Sequence, residues 1–236
     1  DLGRWGRLVM AFLHYWAFGR RLADRLLVRA VPGAIGFRSS SEHRLQAAMA
    51  SPAGCVVLSA HVGSWELSGR WMTAYRHQGI NLVMLGAEDP RVQEQVRKAM
   101  GETPYAIIDL VDPVRASLEI AARLRAGQTC CMLGDRTAGD GANTVRVPFL
   151  GAPAAFPIGP FVAAAATGAP LVMTFCLAAG DGRYRTVAFG PFRIELGPRR
   201  TRMLRLHRWV DRWARMLEAV ARRHPHQWAN FYDFWR

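Results

Sequence analysis

Cys55-Val56-Val57-Leu58-Ser59-Ala60-His61-Val62-Gly63-Ser64-Trp65-Glu66 begins with an uncharged run and ends on a turn. A run this short, bounded by glycine, reads as a buried strand. Gly63-Ser64 supplies the turn, and Ser64 is suited to cap a helix starting near Trp65. The stretch is a strand-to-helix junction that carries a histidine and a carboxylate five residues apart. On one continuous helix His61 and Glu66 would diverge by about 140°, whereas a turn between them lets the carboxylate fold back on the imidazole. Such a pair suits proton transfer: Glu66 holds the tautomer at Nδ1 and leaves Nε2 to take a proton from a hydroxyl or amine. The competing reading is a structural histidine at a strand end.

Outward from this junction, strand-like and helix-like segments alternate. Ile80 to Leu85 reads as a strand, and Asp89-Pro90 starts a helix that runs through Met100. Tyr105 to Ile108 is a short strand, Asp112-Pro113 starts a helix ending at Gly127, and Thr129 to Leu133 is a further strand. This rhythm predicts an α/β fold with a mostly parallel central sheet flanked by helices, and ligands beyond the carboxyl ends of the strands. His61 and Asp135 both fall at such ends. Val147 to Gly180 carries no charge, but Pro153, Pro157, Pro160 and Pro170 divide it into a loop, a short Ala-rich helix and the strand Leu171 to Leu177. It reads as core and not as a membrane span. Tyr184 to Phe189 adds a strand. Residues 200–223 form a long helix with Leu206, Trp209, Val210, Trp213, Met216, Leu217 and Val220 in one apolar stripe, flanked by arginines.

Ahead of the junction, residues 4–29 form an amphipathic helix in which Leu8, Phe12, Tyr15 and Trp16 mix with Arg4, Arg7, Arg20 and Arg21. Aromatics beside arginines suit a helix lying among lipid headgroups, and equally a helix docked on a core. We read residues 1–236 as a single domain, with 1–40 as its N-terminal amphipathic part.

The 236 residues are half hydrophobic and carry a formal charge of +13, almost wholly from arginine, since Lys98 is the sole lysine. That charge points to an anionic partner. No RNP, zinc-finger or helix-turn-helix signature accompanies it, so nucleic acid is not expected. Cys55, Cys130, Cys131 and Cys176 lack metal-ligand spacing and read as reduced core residues; no metal site is expected. Adjacent Cys130 and Cys131 would face opposite sides of a strand, leaving one free to line a cavity.

His61 and Glu66 match the HxxxxD/E motif of the lysophospholipid acyltransferase superfamily. The string His61-Val62-Gly63-Ser64-Trp65-Glu66 resembles the branch that contains the bacterial lipid A acyltransferases, which usually have Asn where Ser64 stands. Gly134-Asp135-Arg136-Thr137 followed by Val145-Arg146-Val147-Pro148-Phe149-Leu150-Gly151 is similar to a second block of that branch, and Gly168-Ala169-Pro170-Leu171 to a third. Pro225-His226-Gln227-Trp228 resembles the P-x-Q-W signature of a related predicted-acyltransferase subgroup.

The resemblance implies a glycerolipid-acyltransferase-like fold and transfer of an acyl group from acyl carrier protein or coenzyme A to a lipid or other amphiphilic acceptor. His61 and Glu66 would be catalytic, and Ser64, Trp65, Asp135 and Arg136 would bind substrate. The thioester is a co-substrate and no resident cofactor is expected. Oxyanion stabilisation falls either to the main-chain N–H groups of Gly63-Ser64-Trp65 or to Arg136; the alternative for Asp135 and Arg136 is a structural pair with each other. Phe156 to Ala166 reads as ordinary core, with an acyl-groove wall as the alternative. The expected location is the cytoplasmic face of a bacterial inner membrane, bound peripherally to its anionic surface, or the cytoplasm. The rivals are a non-catalytic membrane-associated protein on the same fold and a lipid or thioester hydrolase with Ser64 as nucleophile, for which no G-x-S-x-G elbow is present.

Overall fold

The computed structural model describes residues 3–31, 33–65, 67, 79–85, 105–137 and 143–235. Its centre is a seven-stranded sheet in the order β1-β9-β8-β2-β5-β3-β4. The strands are β1 (Gly36–Ser39), β2 (Cys55–Ser59), β3 (Ile80–Met84), β4 (Tyr105–Asp109), β5 (Thr129–Leu133), β8 (Leu171–Ala178) and β9 (Arg183–Phe192). Every neighbouring pair is parallel except β8 with β9. The expected mostly parallel α/β sheet is therefore the observed one. The expected helix over 89–100 lies outside the described residues.

Because successive side chains of a strand face opposite ways, β2 divides its apolar run between two cores. Val56, Leu58 and Ala60 join Cys130, Met132, Met173 and Phe175 against three helices: α3 (Pro113–Arg125), α4 (Gly159–Thr167) and α5 (Arg199–Arg223). Cys55 and Val57 join Leu82 and Val172 against α2 (Glu42–Met49) on the other face. Trp213 of α5 anchors the larger core. Its ring stacks on Phe175 at 5.4 Å, and its indole N–H donates to Gly134 O at 2.8 Å. Each such buried side chain contributes roughly 1.5–3 kcal/mol. Helix boundaries follow local chemistry. The Asp112 side chain accepts from Val114 and Arg115 N–H at the start of α3, with Pro113 in the first turn, and Gly127 follows its end at φ +73°.

Two elements depart from the expectation. Thr144–Phe149 (β6) and Ala152–Pro157 (β7) form an antiparallel hairpin where a loop was expected. Its prolines are tolerated because the ribbon has only two strands, so each keeps an unpaired side. Val147, Phe149, Ala154 and Phe156 are buried in the larger core together with Phe161 and Ala164. Within Phe156 to Ala166, Phe156, Pro160, Phe161 and Ala164 are core, as the primary reading held, while Val162 and Ala166 are exposed. The second unexpected element is β1, four residues of alternating exposure at the sheet edge.

The N-terminal helix α1 (Arg4–Ala30) is present, with Phe18 and Val28 packed inward beside polar side chains and large apolar residues on its outward face. His14, Arg21 and Asp24 face the protein. The guanidinium of the buried Arg21 donates to His226 O at 3.2 Å, and Tyr184 Oη donates to Asp24 at 2.6 Å. Burial among aromatics, Phe231 at 4.8 Å included, pushes the His14 imidazole below its ordinary pKa. Trp5, Leu8, Val9, Phe12 and Trp16 face outward. No helix among the described residues is long and apolar enough to cross a membrane.

Candidate active site

Strands β2 and β5 are parallel neighbours in a register that sets Ser59 opposite Leu133. Two residues further along each strand stand His61 and Asp135, so pairing alone brings them side by side beyond the carboxyl end of the sheet. The ladder continues past the strands: Gly134 N–H donates to Ser59 O at 2.8 Å. Asp135 Oδ1 lies 2.8 Å from His61 Nδ1, and the His61 main-chain N–H donates to Oδ2 at 3.0 Å. The indole N–H of Trp228 donates to the same Oδ2 at 3.1 Å. The carboxylate is 1% exposed, the imidazole 22%. Two groups that can only donate fix Oδ2 as an acceptor, and a neutral imidazole with its proton on Nδ1 donates to Oδ1. Nε2 is left with its lone pair.

Beside the imidazole opens a cleft of about 420 Å³. Its floor is the face of the sheet that carries Val57, Leu82, Met84, Cys131 and Leu133, and Trp65, Arg136 and Thr137 join His61 in its lining. Cys131 faces this cleft while its neighbour Cys130 is buried in the opposite core, the split expected of adjacent strand residues. None of the four cysteines is joined in a disulfide.

The expected site residues divide as follows. His61, Trp65 and Arg136 meet around the cleft, with Asp135 behind the imidazole. Glu66 lies outside the described residues, and the position assigned to it at Nδ1 is held by Asp135. Ser64 is wholly buried, does not line the cleft, and its Oγ has no hydrogen-bond partner among the described residues. Asp135 and Arg136 do not pair: Asp135 serves His61 and Trp228, while Arg136 donates to Ala229 O at 2.8 Å and lies 5.4 Å from the Tyr232 ring centre. Two expected oxyanion donors are also engaged, since Gly63 N–H donates to Gln227 O and Ser64 N–H to Cys176 O, each at 2.8 Å.

Sequence reasoning quoted the Gln227-Trp228 string without a chemical role, and here it lies against the site. Tyr232 Oη donates to Asp135 O at 3.4 Å, and its phenol is pushed up to about 12 by burial and by the Asp135 carboxylate.

The profile of the bacterial lipid A biosynthesis acyltransferases matches residues 20–236. The chain belongs to this family. It is similar to the phosphatidylinositol mannoside acyltransferase of Mycobacterium tuberculosis strain H37Rv, with 30% identity over 173 residues, 71% of this chain and 52% of that protein. The same figures hold for the protein of that name from strain CDC 1551. This member of the acyltransferase family therefore spans about half the length of the curated relatives it matches.

Proposed function

We propose that the protein transfers a fatty acyl group from an acyl carrier protein or coenzyme A thioester to a hydroxyl or amine of a lipid or other amphiphilic acceptor. The observation that carries this reading is the Asp135-buttressed imidazole, its free Nε2 beside an apolar cleft sized for part of an acyl chain. Family membership supports the reaction class. Nε2 removes the acceptor proton as the acceptor oxygen or nitrogen attacks the thioester carbonyl. The tetrahedral intermediate then breaks its C–S bond, and the leaving thiolate takes the proton back from the imidazolium. Atoms and charge balance without a covalent enzyme intermediate or a resident cofactor. Asp135 takes the orienting role expected of Glu66, and Arg136 is the cation in the cleft available to the developing oxyanion. The hydrolase reading loses its nucleophile, because Ser64 Oγ is buried and forms no hydrogen bond with His61.

Asp135→Asn tests the orienting role. An amide in place of the carboxylate presents an N–H as well as a carbonyl to the imidazole, and no longer stabilises the imidazolium. Transfer from palmitoyl-CoA or palmitoyl-acyl carrier protein into a bacterial lipid extract, followed by mass spectrometry, should fall within the range of about 10²–10⁴-fold that base catalysis supplies. Unchanged turnover would leave Asp135 a structural acceptor only.

The outward face of α1 supports peripheral attachment to an anionic membrane, and a donor made in the cytosol puts that membrane surface on the cytoplasmic side. Trp5, Phe12 and Trp16 are 80%, 65% and 61% exposed on one stripe, with exposed Arg4, Arg7 and Arg20 on the same helix. Arg21 was expected to join them and points inward instead. Each basic side chain near an anionic surface contributes on the order of 1 kcal/mol and is screened by salt, whereas insertion of an indole is not. Sedimentation with phosphatidylglycerol-containing vesicles should show binding that weakens at high salt without vanishing. Glutamates at Arg4, Arg7 and Arg20 should reduce it, and Trp16→Ala should remove the salt-resistant part. Equal binding to purely zwitterionic vesicles, or binding of single-stranded nucleic acid with a steep salt slope, would remove the basis for this attachment.

A further inference from the structure

The segment after α5 holds the site from several directions at once. Ala229 N–H donates to His61 O at 2.7 Å and Gly63 N–H donates to Gln227 O, so the tail pairs with the turn on both sides of Val62. The Gln227 amide grips β8 as well: Oε1 accepts from Ala178 N–H at 2.9 Å, and Nε2 donates to Ala178 O at 3.0 Å. Trp228, 8% exposed, is wedged edge-to-face against Phe149 at 5.3 Å and Phe234 at 5.0 Å, which fixes where its N–H points. That N–H reaches Asp135 Oδ2.

We infer that Trp228 is a positioning residue for the proton-transfer pair: its aromatic clasp aims an indole N–H that holds the Asp135 carboxylate in the rotamer presenting Oδ1 to His61 Nδ1. This rests on the acyltransferase reading for its catalytic consequence, but the geometry is measurable without it. A carboxylate tethered only by its own strand is free to turn about its side-chain bonds. With Oδ2 held by the indole and by the His61 N–H, one orientation remains, and the imidazole is aligned by the group behind it. Gln227 supports this indirectly, by fixing the main chain that carries the indole.

The test compares Trp228→Phe, which keeps a ring in the clasp and deletes the N–H, with Phe161→Leu, which trims the same core away from the clasp and leaves the N–H in place. Two readouts are taken on each full-length variant after thermal unfolding has shown it folded. The first is the downfield Nδ1–H proton resonance of His61, seen with nitrogen-labelled histidine and assigned by its loss in His61→Gln. The second is turnover with palmitoyl-CoA and a lipid extract. In Trp228→Phe the resonance should shift or broaden and kcat should fall about tenfold, the scale of one hydrogen bond to a charged group, with KM for palmitoyl-CoA unchanged. Phe161→Leu should lower the melting temperature while leaving resonance and kcat near those of the parent. An unmoved resonance in folded Trp228→Phe would overturn the inference, as would the same loss in both variants. If the parent transfers no acyl group, the acyltransferase reading fails and the resonance alone decides the positioning role.

Discussion

His61→Ala is expected to abolish acyl transfer while leaving the protein folded. Among the described residues the imidazole is the cleft group aligned from behind by a carboxylate, and removing such a base costs about 10²–10⁴ in rate. Folding survives because the side chain is partly exposed, its hydrogen bond being to Asp135 Oδ1. After truncation the carboxylate keeps the main-chain N–H of residue 61 and the indole of Trp228, so no buried charge is stranded. Mass spectrometry of lipids from a deletion strain complemented with either form, beside circular dichroism of both proteins, makes the comparison. Full transfer by a well-folded His61→Ala protein would sink the mechanism. A burst of free fatty acid that disappears in Ser64→Ala would point to hydrolysis instead.

Gly63→Ala should do comparable damage by a different route. Gly63 has φ +67°, and a Cβ there would stand 1.9 Å from Cys176 O and 2.8 Å from Cys176 C. Both obstacles are main chain of a central strand and cannot swing away. The left-handed backbone alone costs roughly 1–2 kcal/mol for an alanine, and relieving the overlap means lifting the turn off β8. That breaks the Ser64 N–H bond to Cys176 O and displaces His61, two residues earlier. Gly168→Ala is the control: its φ is +73°, yet no atom lies within 4 Å of the added carbon, so it suffers the strain without the collision. At about 2–4 °C per kcal/mol for a chain of this size, the control should melt a few degrees low and keep its activity. Gly63→Ala should melt lower still and lose turnover. Matching behaviour in the two variants would mean that the contact with β8 is not what holds the turn.

The parallel sheet was legible because its strands are short apolar runs separated by capped helices, and Asp112-Pro113 marked one helix start to the residue. The site was legible in part. His61 and Asp135 each stood at a recognisable strand end, but the reading paired His61 with Glu66, its near neighbour in sequence. Glu66 lies outside the described residues, and the contact that the structure shows, His61 with Asp135, runs sideways through the ladder of β2 and β5; lateral strand order is a tertiary property that local periodicity does not carry. The β6–β7 hairpin was hidden by its own prolines, which signal loops wherever a strand has two hydrogen-bonded neighbours. Arg21 was misplaced for a related reason: the pattern of α1 shows two faces, but which one meets the protein depends on a docking surface built from Tyr184, His226 and Phe231.

The tail's embrace of the His61 turn also orders events in time. Arg21 and His226 are 205 positions apart, and Asp135 and Trp228 are 93 apart. Synthesis delivers the sheet before the segment beyond Arg223 has left the ribosome. At that stage neither the indole that reaches the Asp135 carboxylate nor the main-chain clasp around Val62 is available to the His61 turn. The hydrogen-bond geometry around His61 is complete only once the segment beyond Arg223 is seated between α1 and the turn.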